Sequence, residues 1–237
     1  MKSRKSISKK EINLISQEHI QVKSPKRVLD HGEVFTSPRE VNAMLDLVKD
    51  ETENIESRFL EPACGDGNFL VEILRRKLDV VLRRHSKNQI IFERYAFIAV
   101  GSLYGIDLLQ DNVEHCRVRL FNIAHQIYKD LFDDKINNDF FNSLKFVLHR
   151  NIIWGNALTL ENAGLVNDPI TFSEWSVVHK NMVQRRDFKM QSLLENQKMD
   201  GPNLFSDLGE DAFIPVPIKT YPLQNFYNLG EDVQYKL

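Results

Sequence analysis

Residues 59–70 read Phe-Leu-Glu-Pro-Ala-Cys-Gly-Asp-Gly-Asn-Phe-Leu, and no other stretch limits the fold so narrowly. An apolar start, an acidic residue, a proline and two glycines one apart run straight into a helical pattern. Such a chain builds a strand that stops at a tight turn, where glycine lets the backbone come close to a ligand. From Asn68 to about Arg84 the apolar residues Phe69, Leu70, Ile73, Leu74, Leu78 and Val81 recur at helical spacing. The Arg-rich end of that segment suits a helix C-terminus.

The alternation repeats. Residues 89–103 read as an apolar helix, and Tyr104-Gly-Ile-Asp-Leu-Leu109 as a second buried strand ending in an acid. A helix over 110–132 follows, with Val113, Cys116, Leu120, Ile123 and Ile127 on one stripe, then a short helix over 139–149. Residues 151–158 (Asn-Ile-Ile-Trp-Gly-Asn-Ala-Leu) form a third strand-like run. Upstream, residues 38–49 predict a helix with Val41, Met44, Leu45 and Val48 on one face, Pro38 in its first turn and Thr36 or Ser37 as its cap. A polar, acidic loop over 49–57 precedes the first strand. Strands alternating with helices predict an α/β fold, a parallel sheet with helices on both faces.

The last third differs. Residues 170–178 and 182–190, joined across His179-Lys-Asn181, read as a β-hairpin, with a short helix near 188–196. From about residue 197 the composition turns to Gly, Pro, Asp and Asn and predicts an irregular tail. The expected organisation is a basic, flexible arm over 1–27, one domain over 28–196 and the tail over 197–237. The arm carries eight basic residues against two acidic ones, a net +6, while the remaining 23 basic and 31 acidic residues give −8. Such an arm suits either contact with a phosphate backbone or a solvated terminus. Its first ten residues are too polar for a signal peptide, no run of 18 apolar residues exists, and two cysteines give neither a disulfide framework nor a metal spacing. A cytoplasmic protein with no membrane or metal partner is the expectation.

In open parallel sheets, ligands bind at the carboxyl ends of the strands. Three predicted strand ends carry Glu61 with the Gly65-Asp-Gly67 turn, Asp107, and Gly155-Asn156. A carboxylate that can accept from a ribose diol, beside glycines and a side-chain amide, forms a nucleoside site. The dinucleotide fingerprint does not fit: Leu70 stands where its third glycine belongs, and Asp107 lies 42 residues after Gly65 rather than about 20.

The 59–70 stretch resembles the S-adenosylmethionine (SAM) motif of the DNA adenine-N6 methyltransferases, including the modification subunits of restriction systems. Gly32-Glu-Val-Phe-Thr-Ser-Pro38 resembles the segment preceding that motif, with Ser37 interposed in a Phe-Thr-Pro. Tyr104-Gly-Ile-Asp-Leu108 and Trp154-Gly-Asn-Ala-Leu158 are similar to the second and third motifs, the latter more often Gly-Asp. The resemblance covers about residues 31–160. It implies a Rossmann-like methyltransferase sheet with SAM as cofactor and DNA as partner. By position it implies Phe35 and Thr36 over the methionine moiety and Glu61 on the methionine ammonium. Pro62, Ala63, Gly65 and Gly67 would supply the backbone against the amino-acid part. Asp107 would take the ribose, Leu108 the adenine face and Asn156 the adenine edge.

The catalytic element of that family is an Asp/Asn/Ser-Pro-Pro-aromatic tetrapeptide, which holds the amino group of a flipped base. The sequence has no Pro-Pro dipeptide; its nearest echo is Asn167-Asp-Pro-Ile170, which reads more simply as a turn into the hairpin. About 80 residues follow Leu158, too few to supply four further strands beside the hairpin and tail. The expectation is an incomplete sheet, a cofactor half that acts with a second chain or through a divergent catalytic loop. Phe172, Trp175, Phe213, Phe226 and Tyr227 are candidates for docking that chain or for core packing. A SAM-binding but inert regulatory module of a defence complex, or a methyltransferase for another substrate, are the alternatives.

Overall fold

Phe59–Glu61 (β1), Leu103–Asp107 (β2) and Ile152–Asn156 (β3) pair side by side and in parallel, in chain order, in the computed structural model of the protein. The structure describes residues 23–31, 33–164, 168–194 and 215–230. A two-residue strand, Glu161–Asn162 (β4), pairs antiparallel with β3.

Each parallel strand is reached through helices: Asn68–His85 (α4) and Gln89–Gly101 (α5) before β2, Gln110–Phe132 (α6) and Asn138–Asn151 (α7) before β3. The helices start where side chains can cap them: Asn88 and Asn137 accept from backbone N–H groups three residues on. Ahead of β1 lie Pro25–His31 (α1), Pro38–Asp46 (α2) and Lys49–Glu53 (α3). Ser37, not Thr36, caps α2, in a capping box with Glu40. The acidic stretch expected as a loop is helical in α3, where Asp50 and Glu51 occupy the first turn and suit its dipole. It buries only Thr52 and so carries no apolar period to read.

The predicted stripes of α4 and α6 meet in one core, which Val41 and Leu45 of α2 join, while Met44 and Val48, expected on the same face, are exposed, since α2 ends at Asp46 and Val48 lies beyond it. Leu70, Leu74 and Leu78 of α4 pack with Val113, Cys116 and Leu120 of α6, and with Phe92 and Phe97 of α5. The other side of the sheet differs from the expectation of helices on both faces. There Tyr104, Ile106 and Ile153 meet Ile170, Phe172 and Met190, so the start of the hairpin and the first residue of Met190–Leu194 (α8) form the cover.

Thr171–His179 (β5) and Met182–Lys189 (β6) pair antiparallel, and β6 pairs on its other side with Lys219–Thr220 (β7) and Gln224–Asn225 (β8). The irregular tail is therefore corrected over 215–230. Two short strands there add to the hairpin, and buried Phe226 stacks on Phe97 at 4.8 Å. The rest of the tail, with Phe213, lies outside the described residues. Phe172, Trp175 and Phe226 are buried core, and Tyr227 packs against it.

The arm boundary at residue 27 falls inside α1. Lys23 and Arg27, two of the arm's cations, are held by Asp111 at 3.1 and 2.7 Å. No described helix is long and apolar enough to cross a membrane, and no described group of three or more His, Cys, Asp or Glu could hold a metal.

Candidate functional site

Because β1, β2 and β3 are parallel, Glu61, Asp107 and Asn156 finish at the same edge of the sheet. The turn after β1 is fixed by backbone bonds. Cys64 N–H donates to Ile106 C=O and Gly67 N–H to Cys64 C=O, both at 2.8 Å. Gly65 (φ 53°) and Gly67 (φ 94°) take the left-handed conformation that an L side chain resists. Both are also crowded: a Cβ on Gly65 would lie 2.9 Å from the Phe35 ring, and one on Gly67 would lie 2.6 Å from Cys116 Sγ.

Phe35 is buried over the glycine turn, and Thr36 is anchored beside it, its C=O accepting from Asn68 Nδ2 at 3.0 Å. Glu61 Oε1 accepts the Ala63 N–H at 3.2 Å; Pro62 and Ala63 are exposed at the rim. Arg119 Nη1, from α6, braces the turn through Asp66 C=O and Asn68 Oδ1 at 2.8 and 2.9 Å.

Asp107 is the hub. Its Oδ2 accepts from Gly65 N–H at 2.8 Å; its Oδ1 accepts from Leu109 N–H at 2.9 Å and from Asn112 Nδ2 at 3.2 Å. Leu108 is half exposed, and Trp154 Nε1 donates to its backbone C=O at 3.0 Å, which brings the partly exposed indole to the end of β2. Asn156 is a turn residue: its Oδ1 accepts from Leu158 and Thr159 N–H at 2.9 and 3.4 Å. The strand-end group thus brings Phe35, Thr36, Glu61, Gly65, Gly67, Asp107, Leu108 and Asn156 to one edge, while Asn156 spends its oxygen locally.

This chemistry fits an amino-acid nucleoside such as SAM: one carboxylate for an ammonium, one for a diol, an apolar shelf for a base. Asp168 and Pro169 of the catalytic-motif echo are tied elsewhere. Asp168 Oδ2 accepts from Asn162 Nδ2 at 2.9 Å, and Asp168 C=O accepts from Asn162 N–H at 2.8 Å. Asn167 lies outside the described residues.

Sequence reasoning overlooked Asn112, Arg119, Glu33 and Arg27. Asn112 and Arg119 sit seven residues apart, two turns along α6 and facing the glycine turn, a period legible beside the apolar stripe. A polar residue there reads as solvated unless the strand end it faces is known.

The family model described as MmeI, DNA-methyltransferase domain, matches residues 37–181, more than half of the chain. No curated protein and no solved structure matches.

Proposed function

Because this chain belongs to the family of the MmeI DNA-methyltransferase domain, a restriction–modification DNA methyltransferase family, we propose that it binds SAM at the β1–β3 strand ends for methylation of adenine N6 in DNA. The observation that carries the reading is the Gly65–Asp107 tie, which joins a glycine turn to a carboxylate suited to a ribose. Within it Glu61 meets the methionine ammonium, and Phe35 and Thr36 cover the amino-acid end. Leu108 and Trp154 flank the adenine, and Asn156 reaches its edge through the amide nitrogen. SAM supplies an activated methyl group on a sulfonium sulfur. The DNA side must hold the adenine amino group with acceptors, release one of its protons and exclude water.

The acceptor set for that amino group comes from a second chain or from a divergent loop. β1 supports the first option. Among the described residues no strand pairs with its outer edge, and Leu60 is 44% exposed although it belongs to the strand that carries the glycine turn. In open α/β sheets the ligand crevice lies where strand order reverses, and a Rossmann-like sheet would need a further strand beyond β1 to make that reversal. The lack of a Pro-Pro dipeptide favours a second reading, a SAM-binding module without activity of its own in a restriction–modification complex.

Transfer of labelled methyl from SAM to unmethylated DNA, with the chain alone and with proteins co-purified from its host, decides between them. Label on adenine in either arm supports the enzyme; SAM binding with no label in both arms leaves the inert module. Absence of SAM binding overturns both.

A further inference from the structure

A continuous run of hydrogen bonds ties the segment before Phe35 to Asp107. Asn112, 1% exposed at the start of α6, donates through Nδ2 to Asp107 Oδ1 at 3.2 Å and to Glu33 Oε1 at 2.7 Å. Its Oδ1 accepts from Lys23 Nζ at 2.6 Å and from Arg27 Nη2 at 3.3 Å. Arg27 forks onto Asp111 at 2.7 and 3.1 Å, reaches Glu33 Oε1 at 2.8 Å and donates through Nε to Glu33 Oε2. Guanidinium–carboxylate forks are among the stronger polar contacts. The bond from Arg27 holds Asp111 well below the usual carboxylate range. Burial alone would raise Glu33, but the bonds from Arg27 and Asn112 bring it below its ordinary value.

The spare capacity of Asp107 gives this network a direction. A carboxylate offers about four acceptor sites, and three are in use. A ribose diol brings two donors, so one present donor must yield. Gly65 and Leu109 contribute fixed backbone N–H groups. Asn112 makes the longest of the three bonds and keeps its shorter one to Glu33, and the N–H that it withdraws from Asp107 can donate to the oxygen of the incoming hydroxyl, so its retreat leaves no buried donor unpaired. Glu33 stands two residues before Phe35, whose ring covers Gly65. The family match begins at residue 37, so residues 23–36 lie outside it.

We propose that Asn112 and Glu33, braced by Arg27, are positioning residues that couple ribose capture at Asp107 to closure of residues 33–36 over the glycine turn. Asn112 yields its place on Asp107 to a ribose hydroxyl, and its amide is then held by Glu33, which keeps Phe35 and Thr36 seated on the cofactor. The proposal rests on the SAM reading of the site. Coupling of this kind is reciprocal: SAM steadies the segment as much as the segment favours SAM.

The test uses the full chain with SAM as the probe. Calorimetry on wild type, Arg27→Ala, Asn112→Ala and Glu33→Gln gives affinities, and limited trypsin digestion gives cleavage rates after Arg27 relative to those after Arg83 and Arg84. The expected result is SAM binding roughly 5- to 150-fold weaker in Arg27→Ala and Asn112→Ala, the range of ordinary coupling energies. Glu33→Gln, which still accepts from Asn112, recovers most of the affinity. SAM should slow wild-type cleavage after Arg27 more than at the distant site, and this selective protection should vanish in Asn112→Ala. A role confined to holding the fold would lower thermal stability and leave selective protection intact; that outcome, or wild-type affinity in both alanine variants, overturns the proposal. No SAM binding by wild type overturns the cofactor reading and this proposal with it.

Discussion

Gly67 and Cys116 meet so closely that a Cβ on the glycine would stand 2.6 Å from the cysteine sulfur. The first turn of α4 therefore rests directly on α6, and the glycine is demanded twice, by contact and by a φ of 94°.

Gly67→Ala should accordingly destabilise the protein by about 2–5 kcal/mol, the sum of left-handed strain and overpacking. Gly65→Ala should cost less: its φ of 53° lies within the small left-handed region, and its obstacle is a phenyl ring that can shift. Urea denaturation of both variants checks the order. Adding Cys116→Ala to Gly67→Ala should return the steric part and leave the conformational part; no recovery would mean that the contact is not the cause.

Asp107→Ala should act on two quantities at once. Removing the carboxylate strips the acceptor from Gly65 N–H and Leu109 N–H, which costs about 1–3 kcal/mol of stability. On the SAM reading it also weakens the cofactor by roughly 1–3 kcal/mol, five- to 150-fold in Kd. Thermal melts and calorimetric titration separate the two. Lower stability with unchanged affinity would reduce Asp107 to a tie between strand ends.

How much of this was legible in the sequence follows from where its information is local. The stripe of Leu70, Leu74 and Leu78 fixes the buried face of α4 because helical spacing repeats regardless of partner, and α6 matches its predicted span of 110–132. The turn residues Glu61, Gly65 and Asp107 could be found because strand ends are marked by glycine and acid. Asn112, Glu33 and Arg27 could not, since their roles depend on partners up to 89 residues away. The sequence places Asn156 at a strand end but does not show that its oxygen closes its own turn, which leaves only the amide nitrogen to face a ligand. The strands β7 and β8 were missed because two residues hold no period; they exist only through pairing with β6.

Tyr227→Phe tests how the C-terminal segment is held. Glu93, buried in α5, accepts from the hydroxyls of Tyr128 at 2.7 Å and of Tyr227, and from the Asn137 amide at 3.3 Å. Burial, followed by these bonds to Glu93, pushes both phenols upward, so they remain donors at any working pH. A hydrogen bond to a charged group contributes about 1.5–3 kcal/mol, so Tyr227→Phe should lower stability by that order. Tyr128→Phe should cost a similar amount, and the double variant should depart from the sum because both serve one carboxylate. Additive losses would show that the two donors act independently.

Lys77 should leave its mark on the pH dependence of stability. Its side chain is fully buried in α4, where Nζ donates to Ile55 C=O at 3.3 Å, to Ser102 Oγ at 2.6 Å and to Ser57 C=O. Burial lowers its pKa from 10.5 to about 7. With the folded value below the unfolded one, the unfolded chain binds more protons between those limits, so stability rises as pH climbs from 7 toward 10.5. The slope from this group is at most about 1.4 kcal/mol per pH unit. Lys77→Met removes the titration but leaves two carbonyls and a hydroxyl without their donor, which costs about 1–3 kcal/mol for each group left unpaired. The wild type should therefore gain on the variant as pH rises from 7 to 9.5, read as the difference between two urea-denaturation series. Parallel series would show that Lys77 stays charged in the core, held by its three acceptors.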